Sequence, residues 1–181
     1  CYACSVRCKK VVRLEQREWG ETYKGRPVAV DPKGRWSVDP RYGGPEYETL
    51  ASLGANLGVD DLIAICKANE RCNALCMDTI STGCTIAWAA ECFARGLLTP
   101  AETGGYEGRF RDPEQVVDLI EKIARREGAI GDLLAEGALR VARRIGRGTE
   151  QYVVHVKGLE IAMHDPRHMP PMRLSYLVSP T

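Results

Sequence analysis

From residue 46 onward, hydrophobic residues recur at three- and four-residue spacing, which is typical of amphipathic α-helices. Turn-forming residues interrupt this pattern several times, so it predicts a series of separate helices. The predicted apolar stripes are Tyr47, Leu50, Leu53 and Leu57; Leu62, Ile65, Cys72 and Leu75; Ile86, Ala89, Ala90 and Phe93; Val116, Val117, Ile120 and Ile123; and Leu133, Leu134, Ala138, Val141 and Ile145, the last running unbroken to Gly146. The fold class is therefore expected to be mainly α, a multihelical domain.

Polar residues before these stripes mark where the helices are expected to begin. We expect Asp60 to cap the second helix and Ser81 or Thr79 to cap the third, because short polar side chains accept hydrogen bonds from the first free backbone N–H groups. Asp112 followed by Pro113 predicts another N-cap, with proline at the first helical position.

The two ends of the chain lack a helical period. Residues 1–45 are rich in Gly and Pro, and we expect an irregular segment in which residues 28–30 and 35–38 favour a short β-hairpin. Residues 152–161 partly alternate, which indicates an extended segment, and residues 165–181 show no period. The expected domains are residues 1–45, the irregular cysteine-bearing segment, and residues 46–181, the helical domain.

Composition and charge narrow the class of protein. The chain has 181 residues, a net charge of +1 and 44% hydrophobic residues, which suits a globular protein and gives no electrostatic reason to expect nucleic acid or an anionic membrane as a partner. It shows no signal peptide, and it begins on a cysteine. We therefore expect an internal piece of a larger protein, located in a reducing cytoplasm.

Three cysteines stand together at the start of the chain. Cys1, Cys4 and Cys8 form a C-x₂-C-x₃-C run, and three thiolates this close in sequence can bind one face of a [4Fe–4S] cluster. A zinc site is an alternative, although zinc usually takes a second Cys or His pair, and the three histidines follow late and at irregular spacing. Three ordinary loop cysteines are the remaining alternative.

Several further segments, read in order behind this run, resemble one family. Together they are similar to the aldehyde:ferredoxin oxidoreductase family over essentially the whole chain. The segments are Gly44 to Thr49, Leu53 to Leu62, Met77 to Gly83, Gly131 to Gly137, His155 to Glu160 and Asp165 to Arg167.

The resemblance implies a tungsten or molybdenum bis-pterin enzyme with a nearby [4Fe–4S] cluster. Such an enzyme oxidises aldehydes to carboxylic acids and passes electrons to ferredoxin or to an electron-transfer subunit. In the family, a β domain and two helical domains enclose the cofactor, and this chain matches the cluster loop and the first helical domain. The remaining domains of the same polypeptide are therefore implied partners, and a homo-oligomer is compatible with the resemblance.

The resemblance also implies roles for single residues. Cys1, Cys4 and Cys8 match three cluster ligands, and the fourth ligand is expected beyond Thr181. Glu48 matches an acid close to the metal, which makes it the candidate catalytic residue, since a carboxylate there can move a proton while the metal takes up electrons.

The family's pterin motif Asp-x-x-Gly-Leu-Asp falls on residues 73–78. Here Asn73 replaces the first Asp, Cys76 replaces the Gly, and Asp78 is retained. Asn can still accept a hydrogen bond from pterin N–H groups, although it carries no charge. The expected pterin-binding residues are Asn73, Asp78 and Thr79.

Further departures leave alternatives open. Lys67 and Glu70 occupy the positions of a Glu-x-x-His iron site, and protonated Lys cannot ligate iron, so we expect no iron bridge of that kind. His164 and His168 are expected in loop roles. An electron-transfer or scaffold protein without pterin chemistry is the second hypothesis, and a helical domain with a structural zinc knuckle is the third. Residues 1–181 alone are expected to bind neither cofactor stably.

Overall fold

A computed structural model gives the fold of most of the chain. The residues that it describes are 10–15, 22–23, 26–27 and 31–179. The predicted cluster ligands Cys1, Cys4 and Cys8 lie outside the described residues, as do residues 28–30 of the predicted hairpin.

Helices dominate the described part of the chain, which confirms the expected mainly α fold. The helices are α1 (Tyr47–Leu50), continued by a π-helical turn (Ala51–Ala55), α2 (Leu62–Ala74), α3 (Thr79–Ala94), α4 (Pro113–Arg125), α5 (Gly128–Leu134), α6 (Ala138–Ile145) and α7 (Pro170–Val178), with 3₁₀ turns at Pro40–Tyr42 and Thr149–Tyr152. Two short antiparallel hairpins pair β1 (Thr22–Tyr23) with β2 (Arg26–Pro27) and β3 (His155–Val156) with β4 (Leu159–Glu160). No helix among the described residues has the length and apolar character needed to cross a membrane.

Aspartates cap three of the helices, and two of these caps differ from the prediction. Asp61, not Asp60, caps α2, because its carboxylate accepts from the backbone N–H groups of the first turn. Asp78 caps α3 in place of Ser81 or Thr79, since the helix already begins at Thr79. The predicted cap of α4 by Asp112 is confirmed.

One predicted helix is divided in the structure, and one helix was not predicted. The stripe expected to run unbroken to Gly146 is split into α5 and α6, because the backbone at Gly137 turns to φ 80° and cannot continue a helix there. Residues 165–181, which show no hydrophobic period, contain the nine-residue helix α7, which begins at Pro170.

The predicted hairpin around residues 31–34 is only partly observed. Its turn is present, because the N–H of Gly34 donates to the carbonyl of Asp31 at 2.9 Å. Residues 35–37 form no strand, and Val38 instead makes an isolated antiparallel bridge with Leu14. The turn is fixed by Arg35, whose guanidinium bonds both Asp31 and the α2 cap Asp61, at 3.1 and 2.7 Å.

The main core lies between α2, α3 and α4. Helix α4 packs against α2 and α5, and its apolar stripe is fully buried at Leu119 and Ile120. Cys72 of α2 and Ile86 of α3 are also completely buried in this cluster. This packing fixes the beginning of α3 and the end of α2 relative to one another, and these two helix ends carry the predicted pterin residues.

Candidate functional site

The candidate catalytic residue Glu48 lies in the first turn of α1 and contacts a distant part of the chain. Its Oε1 lies 2.8 Å from Nε2 of His164, and its Oε2 accepts a hydrogen bond of 2.7 Å from the backbone N–H of Met163. Both side chains are partly exposed, at 26% for Glu48 and 31% for His164. Both carboxylate oxygens are therefore engaged by residues 115 and 116 positions further along.

Tyr47 strengthens the same contact from the neighbouring position. Its hydroxyl donates to the carbonyl of Met163 at 2.8 Å, and its ring stacks on His164 with 5.2 Å between the ring centroids and 21° between the ring planes. The N–H of His164 donates to the carbonyl of Ala162 at 2.7 Å, which closes a tight turn around Met163. The backbone of Met163 is thus held at both its N–H and its C=O.

The predicted pterin residue Thr79 connects the start of α3 to α1. Its hydroxyl lies 2.8 Å from that of Thr49, and its carbonyl accepts from Ser52 Oγ at 2.9 Å. The two segments approach closely at Gly83, where an added Cβ would lie 2.6 Å from the carbonyl oxygen of Ser52. Glu48, one residue before Thr49, is therefore brought to the same region as Asp78 and Thr79.

Asn73 and Asp78 lie on the exposed surface that joins α2 to α3. Asp78 Oδ1 accepts from the N–H of Ser81 at 2.7 Å as the cap of α3, while its Oδ2 accepts no hydrogen bond from the described residues. The amide nitrogen of Asn73 donates to the carbonyl of Asn69 at 2.8 Å, so its Oδ1 stays available as an acceptor. One carboxylate oxygen and one amide oxygen are thus free to accept from a pterin ring.

Cys76, between these residues, has a left-handed backbone with φ 56°. That conformation favours glycine, and the family motif has glycine at this position. Cys76 thus adopts a backbone conformation that glycine would adopt without strain.

A second thiol, Cys84 of α3, lies among the acidic side chains of the site. Burial raises its pKa to about 12, and the negative charges of Glu160, Asp78 and Glu48 act in the same direction. Cys84 is therefore a neutral thiol. All three carboxylates therefore lie near enough to Cys84 to act on its pKa, which the sequence alone did not indicate.

An open cavity of about 910 Å³ is lined by Tyr47 and His164, whereas Glu48 is not part of its wall. It is bounded by α3 and by the segment of residues 152–167. Its walls combine aromatic and acidic side chains, among them Tyr47, Trp88, Glu91, Tyr152, Glu160 and His164. Mixed walls of this kind suit a small organic molecule that carries one polar group.

Other predicted residues take no part in this arrangement. Lys67 Nζ bonds Glu70 Oε1 at 2.6 Å, and Glu70 Oε2 accepts from the N–H of Asp39 at 2.7 Å, so this pair is tied to the segment before α1. His168 is exposed on the loop before α7. Among the residues that the structure describes, no three Cys, His, Asp or Glu side chains lie close enough together to hold a metal ion.

The donor and acceptor groups of the site fit a pterin rather than a bare metal ion. Pterin rings present N–H donors, which the free oxygens of Asn73 and Asp78 can accept. The residues that sequence reasoning missed are those that tie the site together: Tyr47, Thr49, Ser52, Met163 and His164. Tyr47 and Thr49 lie in the segment Gly44 to Thr49 that carries the resemblance, but no local pattern relates them to their partners.

Comparison with known proteins gives a consistent set of relatives. A family model described as "Aldehyde ferredoxin oxidoreductase, domains 2 & 3" matches residues 1–181. The tungsten-containing aldehyde ferredoxin oxidoreductase of Pyrococcus furiosus is 40% identical over 168 residues, and that of Pyrococcus abyssi is 41% identical over 170 residues; each match covers 92% of this chain and 24% of the relative. The "Aliphatic sulfonate oxidoreductase, WOR-like subunit" of Pyrococcus furiosus is 34% identical over 165 residues, covering 85% of this chain and 26% of that protein. The chain thus spans about a quarter of the length of the curated relatives that it matches.

Proposed function

Because the chain belongs to the aldehyde ferredoxin oxidoreductase family, we propose that it forms the cofactor-facing part of an enzyme that oxidises aldehydes to carboxylic acids. The observation that carries this proposal is the hydrogen bond of 2.8 Å between Thr49 and Thr79. This bond holds α1, which carries the candidate proton-transfer residue Glu48, against the start of α3, which carries the candidate pterin residues Asp78 and Thr79.

The chain's own residues account for binding and proton transfer. Asn73 Oδ1, near the end of α2, and Asp78 Oδ2, at the cap of α3, are the acceptors for pterin N–H groups. Oxidation of an aldehyde to an acid consumes one water and releases two protons and two electrons, and Glu48 is the proposed acceptor of one of these protons. When bound, the tungsten- or molybdenum-pterin group takes up the two electrons.

Electron transfer is assigned to the cysteine run at the start of the chain. Cys1, Cys4 and Cys8 are proposed to bind three irons of a [4Fe–4S] cluster, because thiolates at this spacing suit one face of the cluster. The proposed electron acceptor is ferredoxin or an electron-transfer subunit. The five described cysteines are free thiols, which supports a reducing, cytoplasmic location.

The test uses the complete polypeptide that carries this chain, purified without oxygen. It is expected to contain tungsten or molybdenum together with iron and sulfide, and to reduce ferredoxin when an aldehyde is added. Glu48→Gln should lower kcat by roughly 10²- to 10⁴-fold with the metal content unchanged, as expected for loss of a general acid–base group. Glu46→Gln is the matched control, since Glu46 lies two residues earlier and contacts Lys10.

One observation favours a second candidate function, an electron-transfer or scaffold protein without pterin chemistry. Asn73 is uncharged, and Cys76 occupies the left-handed position of the motif glycine. Both changes weaken the pterin motif. A protein with iron and sulfide but neither tungsten, molybdenum nor pterin would support this second function, whereas zinc alone would support the structural zinc knuckle.

A further inference from the structure

We propose that His164 is a positioning residue for Glu48, which holds the carboxylate in the one orientation that serves proton transfer. The inference rests on the proposed function, because it assigns His164 a role through Glu48. The observation behind it is the contact of 2.8 Å between His164 Nε2 and Glu48 Oε1.

The two oxygens of Glu48 have different partners. Oε2 accepts from the backbone N–H of Met163 at 2.7 Å. A backbone amide can only donate, so this oxygen is fixed as an acceptor. Oε1 faces Nε2 of His164 at 2.8 Å, so the imidazole controls where this oxygen points.

His164 is itself held in place. Its ring stacks on Tyr47, and its backbone N–H closes the turn around Met163. The hydroxyl of Tyr47 holds the carbonyl of Met163 at 2.8 Å. These contacts restrict both ends of the Glu48–His164 contact, as a side chain that positions a catalytic group requires.

Glu48 and His164 belong to two different parts of the fold. Glu48 belongs to α1, which is bonded to the start of α3 through Thr49 and Thr79. His164 belongs to the segment of residues 152–167 that lines the cavity of about 910 Å³. The pair thus connects the wall of the cavity to the helix that carries the proton-transfer group.

The experiment compares two substitutions of one residue in the complete polypeptide. His164→Gln keeps a side-chain N–H that can reach Glu48, whereas His164→Ala removes it. We expect His164→Ala to lower kcat by roughly 10- to 100-fold, since small misplacement of a catalytic group has effects of this size. In His164→Ala, KM and the tungsten and pterin content should stay within about twofold of the parent values. Because His164→Gln retains a side-chain N–H donor, it should keep kcat within about threefold of the parent value. His168→Ala, an exposed histidine on the neighbouring loop, is the matched control and should change nothing.

A second readout is independent of activity. Hydrogen exchange measured by mass spectrometry on the peptide around Met163 reports the bond from its N–H to Glu48. Exchange at Met163 should be roughly fivefold faster in His164→Ala, the size expected from one weakened hydrogen bond. It should be unchanged in His164→Gln.

The outcomes separate this inference from the proposed function. Unchanged kcat in His164→Ala, or a glutamine variant as impaired as the alanine variant, would overturn the positioning role while Glu48 keeps its own. If the protein oxidises no aldehyde, the proposed function fails, and Met163 exchange still decides whether His164 holds Glu48: faster exchange in His164→Ala supports it, and unchanged exchange overturns it.

Discussion

Replacing Gly83 with alanine should separate the two helices that form the candidate site. Gly83 lies in α3 where this helix faces the π-helical turn after α1, and an added Cβ would meet the carbonyl oxygen, carbonyl carbon and Cβ of Ser52 at 2.6, 2.7 and 2.8 Å. Ordinary contacts between such atoms are about 3.5 Å or longer. The two segments must therefore move apart by nearly 1 Å, since most of these neighbours are backbone atoms.

The cost of this movement can be worked out from the contacts that it breaks. Overpacking a tight site costs about 1–3 kcal/mol. The bonds from Thr79 to Ser52 and to Thr49 lie next to Gly83, and losing them adds about 1 kcal/mol each. Alanine regains about 1 kcal/mol because it favours a helix more than glycine does. The variant should be less stable by about 2–4 kcal/mol.

Urea denaturation followed by circular dichroism measures this difference in the free energy of unfolding. Ser81→Ala in the same helix is the control, because the Ser81 side chain makes no hydrogen bond among the described residues and the change should stay within about 0.5 kcal/mol. If Gly83→Ala were as stable as the parent protein, helix propensity alone would govern this position, and the close approach of the two segments would be wrong.

Three further predictions concern strain, acid stability and thiol reactivity. Cys76→Gly should stabilise the protein by about 0.5–1 kcal/mol in the same assay, because it relieves a left-handed backbone; a loss of stability would contradict this. Burial raises the pKa of Asp61, but hydrogen bonds from Arg35 and from the first turn of α2 outweigh burial and lower it below its usual value. The ionised Asp61 carboxylate therefore stabilises the fold above about pH 4, and this stabilisation is lost as the pH falls. Asp61→Ala should lower the free energy of unfolding by about 1–2 kcal/mol at pH 7 and by progressively less below pH 4. A constant difference across that range would refute this prediction. Burial raises the pKa of Cys72 to about 12, so iodoacetamide at pH 8 should label the exposed Cys76 well before Cys72, and equal rates in peptide mass spectra would show the burial to be wrong.

Local sequence signals predicted the helices well where the helix start and the apolar stripe agree. α4 is the clearest case, since Asp112, Pro113 and the stripe through Ile120 all indicate the same helix. The break between α5 and α6 was missed because one apolar stripe continues across Gly137. Helix α7 was missed because it contains no regular stripe, and Leu174 and Leu177 remain exposed on it.

The candidate site could be predicted residue by residue, but its assembly could not. Glu48, Asn73, Asp78 and Thr79 follow from the resemblance, and their roles stay predictions. Their connections depend on contacts between distant parts of the chain, such as the bond from Met163 to Glu48 across 115 positions. No local period or motif encodes such a contact. The division of the chain at residue 45 likewise stays a prediction.

The anaerobic structure of the complete, metal-loaded polypeptide tests the central claim most directly. We expect the pterin to contact Asn73, Asp78 and Thr79. Glu48 should be the carboxylate of this chain nearest the metal, with His164 still in contact with it. Cys1, Cys4 and Cys8 should hold one iron–sulfur cluster. A pterin bound on another face of the helical domain, with Glu48 turned away from the metal, would contradict it.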